Sequence, residues 1–247
     1  MWRGGLWIDD VHKVWKQNFI IPYGVIGLGA EFKFPTDIAV NIAQKANFFF
    51  VRDKYSLDCM HINNMQSSRD ITFSDPLEWL DKKDVNTDNL FFVWRDGESF
   101  YKFNMNNFIE YGKYKDNFNV FDEIIKSEFK SIQYDNFQVY DDNIEELIIK
   151  RGFVISGRFH GIIAAIHKGL PCIAIDICPK IRAIMQDCGL EEYCIKMNEV
   201  DKLKNLIRKA KKEMELIREK QLKYRMEAID IINKDIHFAQ KEVGKYL

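Results

Sequence analysis

The chain has almost no net charge: 36 lysines and arginines stand against 37 aspartates and glutamates in 247 residues. A nucleic-acid binder driven by a basic surface is therefore not expected. No run of about 18 apolar residues occurs, so no membrane span is expected. The opening Met1-Trp2-Arg3-Gly4-Gly5 lacks the basic-then-apolar layout of a secretory leader. Cysteine is sparse and odd in number: Cys59, Cys172, Cys178, Cys188 and Cys194, with no C-x-x-C pair. That pattern supports neither a zinc site nor a disulfide framework, and it fits reduced, mostly buried thiols in a cytoplasmic protein. Solenoid repeats and low-complexity segments are also missing. What remains is an ordinary globular composition, 47% apolar and 30% charged, able to bury a core as one large domain or two small ones.

Short apolar runs alternate with helical patterns, which reads as α/β with mostly parallel strands. Phe19-Ile20-Ile21 leads into Tyr23-Gly24-Val25-Ile26-Gly27-Leu28-Gly29, a strand closing on a glycine-rich turn. Thr36 or Asp37 can cap a helix carrying Ile38, Ile42 and Ala46. Phe48-Phe49-Phe50-Val51 reads as a buried strand ending at Arg52-Asp53. A helix over 55–62 and a short strand Ile71-Thr72-Phe73 follow, before Ser74-Asp75-Pro76 breaks the pattern.

The polar stretch 81–89 is read as a boundary between domains at 1–84 and 85–247. Leu90-Phe91-Phe92-Val93-Trp94 opens the second as a strand ending at Arg95, and Phe121, Ile124, Ile125 and Phe129 have helical spacing. Asp141 or Asp142 can cap a helix with Ile144, Leu147 and Ile148, and Pro171-Cys172-Ile173-Ala174-Ile175 reads as another buried strand. From about Glu199 a long charged helix is expected, with Leu203, Leu206, Ile207, Ala210, Met214 and Ile217 as its apolar stripe. Its basic residues fit a solvated face, or alternatively a face lying on a membrane surface.

The densest chemistry lies in Ser156-Gly157-Arg158-Phe159-His160-Gly161. Phe153-Val154-Ile155 runs into it and Ile162-Ile163-Ala164-Ala165-Ile166 runs out. A strand that ends in a glycine turn at the start of a helix suits an anion, because helix N-terminal N–H groups lack intrahelical acceptors and carry the positive dipole end. Arg158 adds a planar fork for carboxylate or phosphate. His160 adds a group whose proton can move near neutral pH. Gly24, Gly27 and Gly29 follow G-x-x-G-x-G spacing, which is not a dinucleotide fingerprint. They read as a turn lining a cleft. Gly157 and Gly161 read as positions of close backbone approach. His12, His61, His167 and His237 have no identifiable partners in the sequence.

Taken together, these residues resemble the polysaccharide pyruvyl transferase family. Ser156-Gly157-Arg158-Phe159-His160-Gly161, Gly169-Leu170-Pro171 and Cys178-Pro179-Lys180 match a Ser/Thr-x-Arg-x-His-Gly motif, a Gly-x-Pro and a following Lys. Gly4-Gly5 with Asp9-Asp10, the glycine-rich strand end at 23–29, Val51-Arg52-Asp53-Lys54-Tyr55-Ser56 and Ser74-Asp75-Pro76 agree in order. Arg95 stands where members often carry Arg. The resemblance covers roughly residues 1–200 and is most specific over 153–190.

The resemblance implies two Rossmann-like domains facing a cleft, as in GT-B glycosyltransferases, with a long C-terminal helix. It implies transfer of the carboxyvinyl group of phosphoenolpyruvate to sugar hydroxyls, giving a pyruvate ketal. No cofactor or metal is implied. The partners are phosphoenolpyruvate and a saccharide acceptor, free or lipid-linked, in the cytoplasm or at the inner face of the membrane. Arg52, Arg95, Arg158, His160, Gly161 and Lys180 would bind substrate, and His160 and Arg158 would be catalytic.

Each assignment has a plainer counterpart. Arg52 could pair with Asp53, and Arg95 could serve structure. His160 could donate a proton or only grip phosphate. Lys180 could be a surface lysine, and Asp176 could orient a sugar hydroxyl, act as a base or cap a turn. Members usually run well beyond 300 residues, and the first elements of the N-terminal domain have no counterpart here, so that domain reads as incomplete. A fragment, a chain completed by another chain, and a shortened non-catalytic member all fit that pattern. A GT-B glycosyltransferase using a nucleotide sugar is the alternative enzyme.

Overall fold

The structure, a computed structural model, describes residues 23–29, 37–60, 62–63, 65–93, 115–135 and 152–246. The expected strand at 19–21, Arg95 and the helix capped by Asp141 or Asp142 lie outside these residues. Two compact units are present: Met1–Pro76 with Arg225–Leu247, and Leu77–Tyr224.

In the first unit, strand β1 (Gly24–Leu28) is followed by α1 (Asp37–Lys45), β2 (Phe48–Val51), α2 (Lys54–Met60) and β3 (Met65–Ser67). The three strands form a parallel sheet in the order β1-β2-β3. Four consecutive buried residues make up β2, the unbroken apolar run of a parallel strand covered on both faces. Phe49, Val51, Ala43, Ala46, Cys59 and Met65 form the core of this unit. A bulge interrupts β1 between Ile26 and Leu28, where Gly27 adopts φ 75°. A residue with a Cβ would be strained there and would press on Ile71.

The segment read as a strand, Ile71-Thr72-Phe73, is instead a 3₁₀ turn over Ile71–Ser74. Asp70 decides this. Its carboxylate accepts both the Thr72 N–H, at 3.1 Å, and the Thr72 hydroxyl, at 2.9 Å. Such a local cap outweighs the β preference of Ile and Thr.

The second unit begins with β4 (Asn89–Val93), α3 (Lys115–Glu128) and β5 (Ser131–Asp135). It continues with β6 (Phe153–Ser156), α4 (Phe159–Lys168), β7 (Cys172–Asp176), α5 (Pro179–Asp187) and β8 (Cys194–Lys196). The five strands are parallel throughout, in the order β5-β4-β6-β7-β8. Counted by sequence this is 2-1-3-4-5, a doubly wound order whose direction reverses between β4 and β6. Leu90, Phe91, Phe92, Val93, Phe153, Val154, Ile155, Ile173, Ala174 and Ile175 are essentially inaccessible. Each such Val, Leu, Ile or Phe contributes about 1.5–3 kcal/mol of burial. The helical spacing of Phe121, Ile125 and Phe129 becomes the buried face of α3 and its end.

The C-terminal helix differs from expectation at its start. Met197–Lys202 is 3₁₀, α6 (Leu203–Lys212) follows, and Glu213 breaks the run before α7 (Met214–Val243). The Tyr193 hydroxyl donates to Glu213 at this break, at 2.5 Å. Leu203, Ile207, Ala210, Ile217, Gln221, Tyr224, Ala228 and Ile232 make one buried stripe across it. The residues of α7 through Tyr224 belong to the second unit and the rest to the first. Among the described residues, no helix is long and apolar enough to cross a membrane.

Candidate active site

Ser156 is the last residue of β6 and is fully buried. Its hydroxyl accepts the Arg158 N–H and donates to the Arg158 carbonyl, each at 2.9 Å. The Gly157 N–H continues the sheet by donating to the Val93 carbonyl of β4, at 3.0 Å. These bonds fold the chain sharply off the strand, leaving Arg158 as the N-cap of α4 in extended conformation. Ile162 makes the first i→i−4 bond, to the Arg158 carbonyl. Arg158 and His160 thus stand at the positive end of a helix axis, and both are partly exposed. The His160 ring meets Phe159 edge-on, with centroids 5.5 Å apart.

Gly161 serves packing. A Cβ there would overlap the Ser156 hydroxyl and lie 3.0 Å from Ser156 Cβ and 3.2 Å from Val93 Cβ. The backbone of α4 therefore sits directly on the ends of β6 and β4. The close approach expected at this glycine is to the protein's own strands.

This turn lies at the strand-order reversal between β4 and β6, at the C-terminal ends of the strands, where ligands of doubly wound sheets bind. Val93 closes β4 beside Ser156, so the sequence position of Arg95, two residues on, follows the other strand of the same reversal. Arg95 itself is outside the described residues.

The neighbouring strand β7 ends at Asp176, and α5 opens with Cys178 as N-cap, Pro179 in the first position and Lys180 next. Lys180 is partly exposed. Two helix N-termini therefore open on one sheet edge, with Arg158, His160, Gly161 and Lys180 distributed over them. Asp176 receives Arg182, whose Nε donates to Asp176 Oδ2 at 2.8 Å. Arg182 was not among the residues singled out in the sequence. Its signal was a cation six residues after the acid that closes a strand.

Arg52 occupies the corresponding place in the first unit, directly after β2. It is 6% exposed, and its Nε donates to the buried Asp53 at 3.1 Å. Asp53 also caps α2, accepting the Ser56 N–H at 2.7 Å. The guanidinium lies so close over Gly29 that any side chain there would overlap it. The Arg-Asp…Ser pattern is thus a local ion pair joined to a helix cap, with Gly29 making room for it.

His167 gains a partner that the sequence did not reveal. It is buried, and its Nδ1 accepts the Leu77 N–H at 3.3 Å. Among the described residues, no group of three or more His, Cys, Asp or Glu could hold a metal ion. All five cysteines are free thiols.

Comparison with curated proteins finds no match. The family model described as polysaccharide pyruvyl transferase matches residues 4–179. That match spans both glycine-rich segments, Arg52-Asp53 and the whole turn at 156–161, and it stops one residue before Lys180. With the motifs in order over most of its length, the chain belongs to the polysaccharide pyruvyl transferase family.

Proposed function

We propose that the turn at 156–161 binds the anionic groups of phosphoenolpyruvate and that the chain transfers its carboxyvinyl group to a pair of sugar hydroxyls. The observation that carries this reading is the placement of Arg158 and His160 at the N-terminus of α4, at the strand-order reversal of a doubly wound sheet. Phosphoenolpyruvate presents a carboxylate and a phosphate, so a positive helix end with a forked cation suits it.

The chemistry asks for two proton movements. A proton reaches the vinyl CH₂, making a methyl group and an oxocarbenium-like carbon. One sugar hydroxyl adds to that carbon, the C–O bond to phosphate breaks, and the second hydroxyl closes the ketal. Of the two protons released by the hydroxyls, one balances the methyl group and one leaves with phosphate. His160 is assigned as the acid or as the group that steadies the departing phosphate. Arg158 holds the donor, Lys180 adds positive charge to the same edge, and Arg95 is assigned to the donor by the family resemblance alone. Arg52 is assigned to the donor through the first unit, in the GT-B-like arrangement that the family resemblance implies. The acceptor is a saccharide of a polysaccharide or its lipid-linked precursor, and no metal or cofactor takes part in this scheme.

The test is turnover of phosphoenolpyruvate with pyranoside acceptors, followed as phosphate release and as the ketal methyl signal by NMR. The expected result is release that depends on acceptor. His160→Gln is expected to lower kcat by about 10²–10⁴-fold while donor binding survives. Absence of phosphoenolpyruvate binding, or stabilisation by UDP- or GDP-sugars instead, overturns the reading. Arg52→Gln tests the first unit separately. A raised KM for phosphoenolpyruvate supports its donor role, whereas a lower Tm with KM unchanged limits it to its pair with Asp53.

A further inference from the structure

Asp176 and Arg182 form a pair beside the candidate donor turn that has no part in the scheme above. Asp176 closes β7, and Arg182 stands in the first turns of α5. Arg182 Nε and Nη2 both contact a single carboxylate oxygen, Asp176 Oδ2. The acid is largely covered, with 10% of its side chain exposed, whereas the arginine side chain is 45% exposed. A covered carboxylate that grips one side of a half-exposed guanidinium fixes the direction of the remaining N–H groups.

The surroundings leave that outer edge available. Among the described residues, Arg182 has no hydrogen-bonded partner besides Asp176. The other acid within electrostatic reach, Glu199, is already occupied by the Lys202 ammonium at 2.6 Å and the Lys196 N–H at 3.3 Å. β7 pairs with β6 about 4.8 Å away, with Ala174 opposite Ser156, so Asp176 stands two residues past the level at which the turn at 156–161 begins. Arg158, Lys180 and Arg182 thus follow β6 and β7 on or beside two helix N-termini, and the acid that closes β7 is engaged by Arg182.

We propose that Arg182, oriented by Asp176, binds a phosphate-type oxyanion of a substrate on the same sheet edge as Arg158 and His160. Asp176 is then a positioning residue, and neither a base nor a sugar-orienting group. The inference rests on the assignment of that edge as the transfer site. The oxyanion has two possible sources, the phosphate of phosphoenolpyruvate and a phosphate carried by the acceptor precursor.

Titration calorimetry with inorganic phosphate on the full chain tests the pair without requiring turnover. The wild type is expected to bind phosphate, and Arg182→Gln to weaken binding about ten- to hundredfold, the loss of one charge-assisted contact. Arg182→Lys should recover part of the affinity, and Asp176→Asn should weaken it less than Arg182→Gln does. In steady-state kinetics, Arg182→Gln raising KM for phosphoenolpyruvate with kcat held identifies the donor as source. A raised KM for a phosphorylated acceptor alone identifies the acceptor. A lower Tm with phosphate affinity and both KM values unchanged overturns the proposal, as does a wild type that does not bind phosphate. If phosphate affinity falls in Arg182→Gln but the wild type never turns over phosphoenolpyruvate, the pair stands and the donor assignment falls.

Discussion

Gly161 shows how a motif residue can be required by packing. A methyl group there would crowd Ser156 and Val93, which belong to strands buried on both faces and unable to retreat. Gly161→Ala should cost about 2 kcal/mol, lowering Tm by roughly 4–8 °C in thermal unfolding. An unchanged Tm would mean that α4 can lift off the sheet.

The thiols supply a second residue-level expectation. Burial pushes Cys172 and Cys194 up to about 12 from 9.0, with the Asp176 charge adding to the effect at Cys194. Burial likewise raises Cys188 and Tyr193. Above pH 9 the unfolded chain sheds these thiol protons while the folded chain keeps them until about 12. The unfolded state then binds fewer protons, so stability is full below pH 9 and falls as pH rises towards 12. Denaturant unfolding at pH 8 and pH 10 should show the drop. A flat profile would contradict it.

At the scale of elements, helix α7 is tied to the second unit through polar side chains in its buried stripe. Arg218 donates to the Gly169 carbonyl and, at 2.6 Å, to the Leu80 carbonyl, with its guanidinium 5.1 Å from the Trp79 ring centroid. Gln221 donates to the Leu170 carbonyl at 2.8 Å. Trp79 in turn covers Gly169, which ends α4 at φ 67°. Arg218→Met should leave two carbonyls without their donor and cost about 2–4 kcal/mol, read as a shift in denaturant midpoint. The stripe itself was legible as apolar spacing from Leu203 to Ile217. Arg218 and Gln221 were not, because on sequence a charged or amide residue beside a stripe reads as solvated surface. Their burial depends on which carbonyls the fold brings within reach.

At the scale of the molecule, Arg225–Leu247 completes the first unit although it lies beyond the residues matched by the family model. Phe238 packs on Phe48 and Phe50 with ring centroids 5.8 and 5.6 Å away, and Asp235 accepts the Ser68 hydroxyl. Arg69 pairs with Glu227 at 2.8 Å, and Asn47 donates to the Tyr246 hydroxyl at 3.0 Å. A chain ending at Tyr224 should lose hydrogen-exchange protection in β2 while β6 and β7 keep theirs. Equal protection of β2 with and without the segment would show that the first unit stands without it.

Local pattern determined a good deal by itself. Unbroken apolar runs, four residues from Phe48 and three from Phe153, announce strands covered on both faces. Spacing sets α3 and the C-terminal stripe, and the order of Arg, His and Gly at 156–161 carries the family. These features survive because they depend on neighbours a few residues away. Tertiary structure alone decided the rest. The short strands β3 and β8 exist because a neighbouring strand offers hydrogen bonds, and three residues carry too little pattern to announce that. The Arg52 guanidinium is set over Gly29, and Arg182 reaches Asp176, because the ends of separate strands and helices meet there. The 2-1-3-4-5 strand order, which sets the turn at 156–161 at the reversal point, follows from pairing between segments more than 60 residues apart. No short stretch of the chain can encode that pairing.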